Sequence, residues 1–171
     1  MSVDEDALSR LRRSFDGSFA APYTPPRVEE SNRFLGIRIE NDRYAFALVE
    51  VVAVERMRQV MAIPHADPAL LGIAFLRGRF LPVYHLAALL GYASSAPPKS
   101  WLVISNREQP VAWGFDLLDG YFQAERRSEP VGGAGSRQHV CDIVRDAGVV
   151  RSLLNLPSII STIEHRAGIA R

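Results

Sequence analysis

The 171-residue sequence holds one cysteine, Cys141, and one lysine, Lys99. A lone cysteine excludes an internal disulfide and every zinc site built from paired C-x-x-C ligands. A long apolar run is also missing. The longest stretch free of Asp, Glu, Lys and Arg runs from Phe80 to Pro98, and Pro82, His85, Gly91, Ser94, Ser95 and Pro97 interrupt it. It cannot supply the roughly 20 apolar residues of a membrane helix. Excess charge of either sign is absent as well: 20 basic residues face 19 acidic ones, a formal +1, too little to drive phosphate-dominated binding. The opening Met-Ser-Val-Asp-Glu-Asp has neither the positive start nor the apolar stretch of a secretory signal. With the single cysteine, this leads to the expectation of a cytoplasmic protein.

What is present is 47% hydrophobic and 23% charged residues, the balance of a globular chain. At about 150 residues per domain, the length fits one ordinary domain or two small ones sharing a core. Residues 1–31 stand apart, with scattered charge and the run Ala-Ala-Pro-Tyr-Thr-Pro-Pro at 20–26, and read as a flexible tail. Leu8, Leu11 and Phe15 fall at helical spacing there, so a short amphipathic helix between Asp6 and Phe15 can form on docking to a partner.

From Phe34 the pattern alternates. Leu35, Ile37 and Ile39 point one way, a turn follows at Asn41-Asp42, and Tyr44, Phe46 and Leu48 continue, which predicts a β-hairpin. Val51 to Met57 reads as a third strand. Leu71–Leu76 and Arg79–Tyr84 flank Arg77-Gly78, a tight turn, and Leu86, Leu89 and Leu90 form a short helical face closed by Gly91. Pro82 places its strand at an edge or bulge. The plan then repeats: Trp101–Ser105 and Val111–Phe115 repeat the first hairpin, and Val140–Val144, the turn Arg145–Gly148 and Val149–Leu153 repeat the second, before a helix starting near Pro157. Phe34 to Trp101 is an offset of 67 residues and Arg77 to Arg145 one of 68. A period of this length is a duplicated subdomain. The expected fold is all-β with short helices: a domain over 32–171 with halves at about 32–98 and 99–171, each a small barrel leaning on the other.

Chemistry is harder to find. Gly132-Gly133-Ala134-Gly135 lacks the Lys-Ser/Thr of a phosphate loop and reads as a flexible loop. His139 and Cys141, two apart on a predicted strand with Asp142 beside them, are the best metal or thiol constellation, but no third ligand with recognisable spacing accompanies them. Asp116 and Asp119 read as a cap or a salt bridge, His85 as a polar residue at a strand-to-helix junction, and His65 and His165 as solvated. No metal, cofactor or catalytic residue is expected. Most distinctive is the Leu76-Arg77-Gly78 tip, which projects a planar cation from a hairpin.

Tyr44-Ala-Phe-Ala-Leu48, Pro64, Gly72-Ile-Ala-Phe-Leu-Arg-Gly78 and Leu81-Pro-Val-Tyr-His-Leu86 stand in the order and spacing of a known pattern. The chain resembles the CheW family of chemotaxis coupling proteins, including the CheW-like regulatory domain of CheA kinases and the twitching-motility couplers. The second half matches more loosely, through Gly114 to Asp119 and the ending near Ile163. The resemblance implies two intertwined five-stranded SH3-like β-barrels. It also implies a non-catalytic adaptor joining a CheA-type histidine kinase to the cytoplasmic tip of methyl-accepting chemoreceptors. Leu76, Arg77 and Gly78 carry over as partner-binding residues with Phe75 beside them, and Leu48 and Val51 match apolar positions near the receptor-binding face. Three positions depart from the pattern: Phe75 replaces an Asn, His85 an Asp, and Ala53 stands where an acidic residue is common. Two other classes remain open on the residues alone, a small enzyme or metal protein using His139 and Cys141 and a β-barrel nucleic-acid binder. The near-neutral charge opposes the second.

Overall fold

The computed structural model describes residues 32–65, 67–92, 96–124, 126–127 and 139–168. The amphipathic segment 6–15, the proline-rich run 20–26 and the glycine-rich loop 132–135 lie outside the described residues. In chain order the strands are β1 (Arg33–Ile39), β2 (Asp42–Ala47), β3 (Val51–Arg56), β4 (Leu70–Leu76), β5 (Arg79–His85), β6 (Trp101–Ser105), β7 (Ala112–Phe115), β8 (Leu117–Gln123), β9 (Arg126–Arg127), β10 (Val140–Asp146) and β11 (Val149–Leu154). A 3-10 turn, Leu48–Glu50, separates β2 from β3, and two helices, α1 (Leu86–Leu89) and α2 (Leu156–Arg166), follow the second hairpin of each half.

Strands alternate between the halves of the sequence. One sheet runs β8-β1-β2-β11-β10, with the two-residue β9 added at its edge, and the other runs β3-β6-β7-β5-β4. The first takes its hairpin β1–β2 from the first half and its other strands from the second, and the second sheet does the reverse. This exchange is the intertwining of two five-stranded SH3-like units. Among the described residues neither sheet closes through backbone hydrogen bonds. Side chains instead link strands that are not neighbours in a sheet. Arg77, at the β4–β5 tip, reaches Glu55 on β3 at 4.0 Å, and Arg151 on β11 reaches Asp119 on β8 at 3.6 Å.

Three apolar clusters follow from this topology. Ala74, Leu76, Leu81, Val83, Leu102, Ile104 and Ala112 fill the β3–β7 unit, and Phe34, Ala45, Ala47, Val144 and Leu153 fill the other. The largest cluster lies between the units. There Phe46 of β2 stacks on Trp113 of β7 with ring centroids 6.4 Å apart, and α1 and α2 add Leu86, Leu89, Leu156, Ile159 and Ile160. Neither unit buries its outer apolar face without the other. Asn155 starts α2 by accepting the Ser158 N–H on its side-chain oxygen at 3.0 Å, with Pro157 in the first turn.

Several expectations shift by a residue or more. Ile39 pairs with Asp42, so the first turn is Glu40-Asn41, one residue earlier than Asn41-Asp42. Arg145 pairs with Val150 and Asp146 with Val149, so the turn in the second half is Ala147-Gly148 alone. Its φ angles of 45° and 81° match the 50° and 81° of Arg77-Gly78. The structural counterpart of Arg77 is therefore Ala147, not Arg145. Positive φ at both central residues is the turn whose twist suits a two-residue hairpin. Pro82 does not mark an edge strand, because β5 lies between β7 and β4. Pairing with β7 begins only at Val83, so the missing N–H costs no ladder bond there.

Candidate functional site

A two-residue turn at Arg77-Gly78 fixes the register of the β4–β5 hairpin: Leu76 faces Arg79 and Phe75 faces Phe80. Successive residues of a strand point to opposite faces. Leu76 consequently enters the core at 1% exposure, while Phe75 and Phe80 stand on the outer face at 58% and 63%. Their rings lie 5.2 Å apart at 60°, a tilted aromatic pair. Arg77 stands beside them at the tip with its side chain about half exposed. Of the four residues the sequence singled out here, Phe75, Arg77 and Gly78 are at the surface and Leu76 lies beneath them. Phe80 is the residue sequence reasoning missed. Two exposed aromatic rings beside an arginine match the composition of protein-interface anchors. Phe75 adds to this surface and not to the core.

A second face is built around the 3-10 turn. Asn106, just after β6, donates its backbone N–H to the Glu50 carbonyl at 2.8 Å and its Nδ2 to the Val49 carbonyl at 3.1 Å. Ser105 accepts the Val111 N–H on its hydroxyl at 2.8 Å, holding the loop that follows. The turn and the start of α2 border a groove of about 340 Å³ whose lining includes Val49, Glu50, Asn106, Leu156, Pro157 and Ile160. Leu48 and Val51, the residues expected here, are partly buried and pack on the central core. Their neighbours Val49 and Val52 carry the exposed apolar surface. The 3-10 turn and an irregularity between Val51 and Ala53 change the phase of the alternation.

The residues considered for chemistry do not converge. His139 precedes β10 in a positive-φ conformation and is buried, with its Nδ1 2.8 Å from the Ser158 hydroxyl. Cys141 is exposed at a bulge, and Asp142 is buried with Oδ1 accepting the Ile143 N–H at 2.8 Å. The expected shared face for His139 and Cys141 is overturned, because His139 lies outside the strand and the bulge breaks the alternation after it. Among the described residues no three His, Cys, Asp or Glu side chains gather closely enough to hold a metal. Asp116 accepts the Lys99 N–H at 2.8 Å, and Asp119 pairs with Arg38 at 2.7 Å and with the buried Arg151. Neither carboxylate is on a helix. His85 ends β5 and makes no side-chain cap on α1. A cleft of about 380 Å³ beside it is bordered by Arg38, Glu40 and Asp116. His65 and His165 are exposed.

Burial lowers the pKa of His85 against an opposing pull from Asp116, and burial with the nearby Arg166 lowers that of His139. Each imidazole therefore resists protonation in the folded state while the unfolded chain takes up a proton near the ordinary value of about 6.5. Stability is complete above that value and is lost as the pH falls below it, towards the lowered folded values. Urea unfolding at about pH 7.5 and 5.5 is expected to show a lower midpoint at the acid pH. Replacing both histidines with Gln flattens the difference; an unchanged difference would assign it to other groups.

A family model described as CheW-like domain matches residues 33–164. Among solved structures, the chain is similar to the scaffolding protein TtCheW from Thermoanaerobacter tengcongensis, with a TM-score of 0.65 at 18% identity, over 74% of this chain and 90% of that one. No match was found among curated proteins. No helix among the described residues is long and apolar enough to cross a membrane. The family match runs from the first strand into the last helix and takes in both apolar faces: the chain belongs to the CheW-like domain family.

Proposed function

We propose that this chain is a non-catalytic adaptor that couples a CheA-type histidine kinase to methyl-accepting chemoreceptors in chemotaxis or motility signalling, acting in the cytoplasm. The observation that carries the reading is the exposed Phe75–Phe80 pair with Arg77 at its rim, a built docking surface on a rigid hairpin in a member of this family. The kinase's matching regulatory domain takes this tip, where aromatic anchors and a planar guanidinium supply most of the binding energy. The receptor's helical hairpin takes the groove beside Val49, with apolar side chains at helical spacing as its anchors. No step of chemistry is required: the adaptor fixes the distance and orientation between the two partners.

The test mixes the protein with a CheA-type kinase and a soluble receptor hairpin on a sizing column. A ternary complex is expected. Phe75→Ser combined with Phe80→Ser, both on the outer face, is expected to lose the kinase by about 1,000-fold in affinity, since two anchor truncations at about 2 kcal/mol each sum to about 4 kcal/mol. Val49→Asp is expected to lose the receptor fragment and keep the kinase. If the wild-type chain shifts neither partner, the adaptor reading is wrong.

A further inference from the structure

The groove beside the 3-10 turn is bordered by apolar side chains from two elements, Val49 of the turn and Leu156, Pro157 and Ile160 of α2. The described chain starts at Asn32, whose carbonyl accepts the Ala124 N–H at 3.1 Å, and enters β1 at Arg33. Phe34 is in register with Ala47, the residue directly before the Leu48–Glu50 turn that walls the groove. The first 31 residues therefore join the domain beside the groove wall.

Those residues carry a helix's worth of signals. Leu8, Leu11 and Phe15 recur at i, i+3 and i+7, the anchor spacing of a helix lying in an apolar groove. Asp4 and Glu5 precede the segment and Asp6 starts it, Arg10 stands at its middle with Arg12 and Arg13 after it, and Gly17 lies just past its end. That is the charge order a helix dipole favours, with the usual stop residue. The groove rim carries one charge of each sign, Glu50 and Arg107, so the apolar stripe and not net charge has to carry the docking. A helix of about ten residues is marginal by itself in water, so its order depends on a surface to lie against. Between Phe15 and Asn32 lie 16 residues, with Pro22, Pro25 and Pro26 among them. A flexible linker of 16 residues has a typical end-to-end distance of about 20 Å. It holds a tethered segment at an effective concentration on the order of millimolar. A weak docking contact is then well populated.

We propose that residues 6–15 of this chain dock as an amphipathic helix in the groove formed by Val49, Asn106, Leu156, Pro157 and Ile160, with Leu8, Leu11 and Phe15 as the inserted side chains. Resting on the receptor reading above, the tail is then an internal competitor for the receptor hairpin. A partner must displace it, and the affinity of the groove is set partly by the chain's own first residues.

The experiment compares amide spectra of the 15N-labelled full chain with those of the same chain carrying Leu8→Asp, Leu11→Asp and Phe15→Asp. Those substitutions fall in none of the elements that make up the described core. Shifts are expected at Val49, Asn106 and Ile160 and not at Phe75 or Phe80. A synthetic peptide of residues 4–17, added to the substituted chain, is expected to restore the wild-type positions saturably. Groove signals that ignore both the substitutions and the peptide overturn the proposal. So do groove signals that move with protein concentration in the wild type, because a second copy would then be the occupant. A receptor hairpin fragment is expected to bind the substituted chain about tenfold more tightly, the factor given by a millimolar effective concentration against a docking Kd of about 0.1 mM. If the tail controls the groove signals and the fragment binds neither protein, docking stands and the receptor reading falls.

Discussion

Gly72→Ala is expected to cost about 3 kcal/mol or more, far beyond an ordinary surface substitution. Gly72 sits at an irregularity in β4 with φ 140°, and a Cβ built there lies 2.1 Å from the backbone oxygen of Met61. That backbone oxygen cannot yield cheaply. The Met61 oxygen is held because Met61 and Ile73 exchange hydrogen bonds of 2.8 and 2.9 Å across the free side of β4. Making room breaks that pair at about 0.5–1.5 kcal/mol per bond. It also leaves alanine in a backbone region worth about 1–3 kcal/mol of strain. Gly78→Ala is the internal comparison. Its φ is 81°, yet nothing among the described residues lies within 4 Å of an added Cβ, so only the backbone penalty of about 1–2 kcal/mol remains. Urea unfolding of the two variants separates the effects. Equal losses would show that the close approach of Met61 contributes nothing.

Trp113→Ala is expected to remove about 3–5 kcal/mol, a large part of the stability of a domain this size. The indole is fully buried, stacks on Phe46 from the other unit and lies in the cluster that joins the two sheets. Truncation opens a cavity where the two units meet, and neither can collapse into it without moving its own strands. With a urea slope of about 2 kcal/mol per molar, the unfolding midpoint is expected to fall by about 2 M. Trp113→Phe keeps the aromatic contact, and among the described residues the indole nitrogen has no hydrogen-bond partner to lose. A smaller loss is expected for it. A midpoint for Trp113→Ala within about 0.3 M of wild type would mean that the central cluster does not hold the units together.

Much of the fold was legible because it is local. Alternating apolar residues mark β1, β2 and β5, Arg77-Gly78 marks a turn, and the second half repeats these signals. The exchange of hairpins was not, because which strands share a sheet depends on pairings far apart in sequence. At the site, the sequence contained more than was taken from it. Phe75 and Leu76 are adjacent on one strand and cannot both face a partner, and a two-residue turn makes Phe80 the neighbour of Phe75. The groove face was less accessible. Val49 and Val52, not Leu48 and Val51, reach the surface because a 3-10 turn and an irregular pairing shift the phase, and neither has a composition signal. The buried Arg151, between Phe122 and Asp119, was equally invisible, since an arginine in a strand ordinarily points to water.

The parallel pairing of β2 with β11 places Tyr44 beside Ser152, whose codon is read about a hundred residues later. At about 5–20 residues per second, a ribosome leaves β1 and β2 without their outer neighbours for roughly 5–20 s. During that interval the newborn hairpin presents two unpaired edges and the apolar faces of Phe34, Phe46 and Leu35. Hairpins on their own are marginally stable, so this part of the chain is an early client for chaperones and a site of aggregation when synthesis outpaces them.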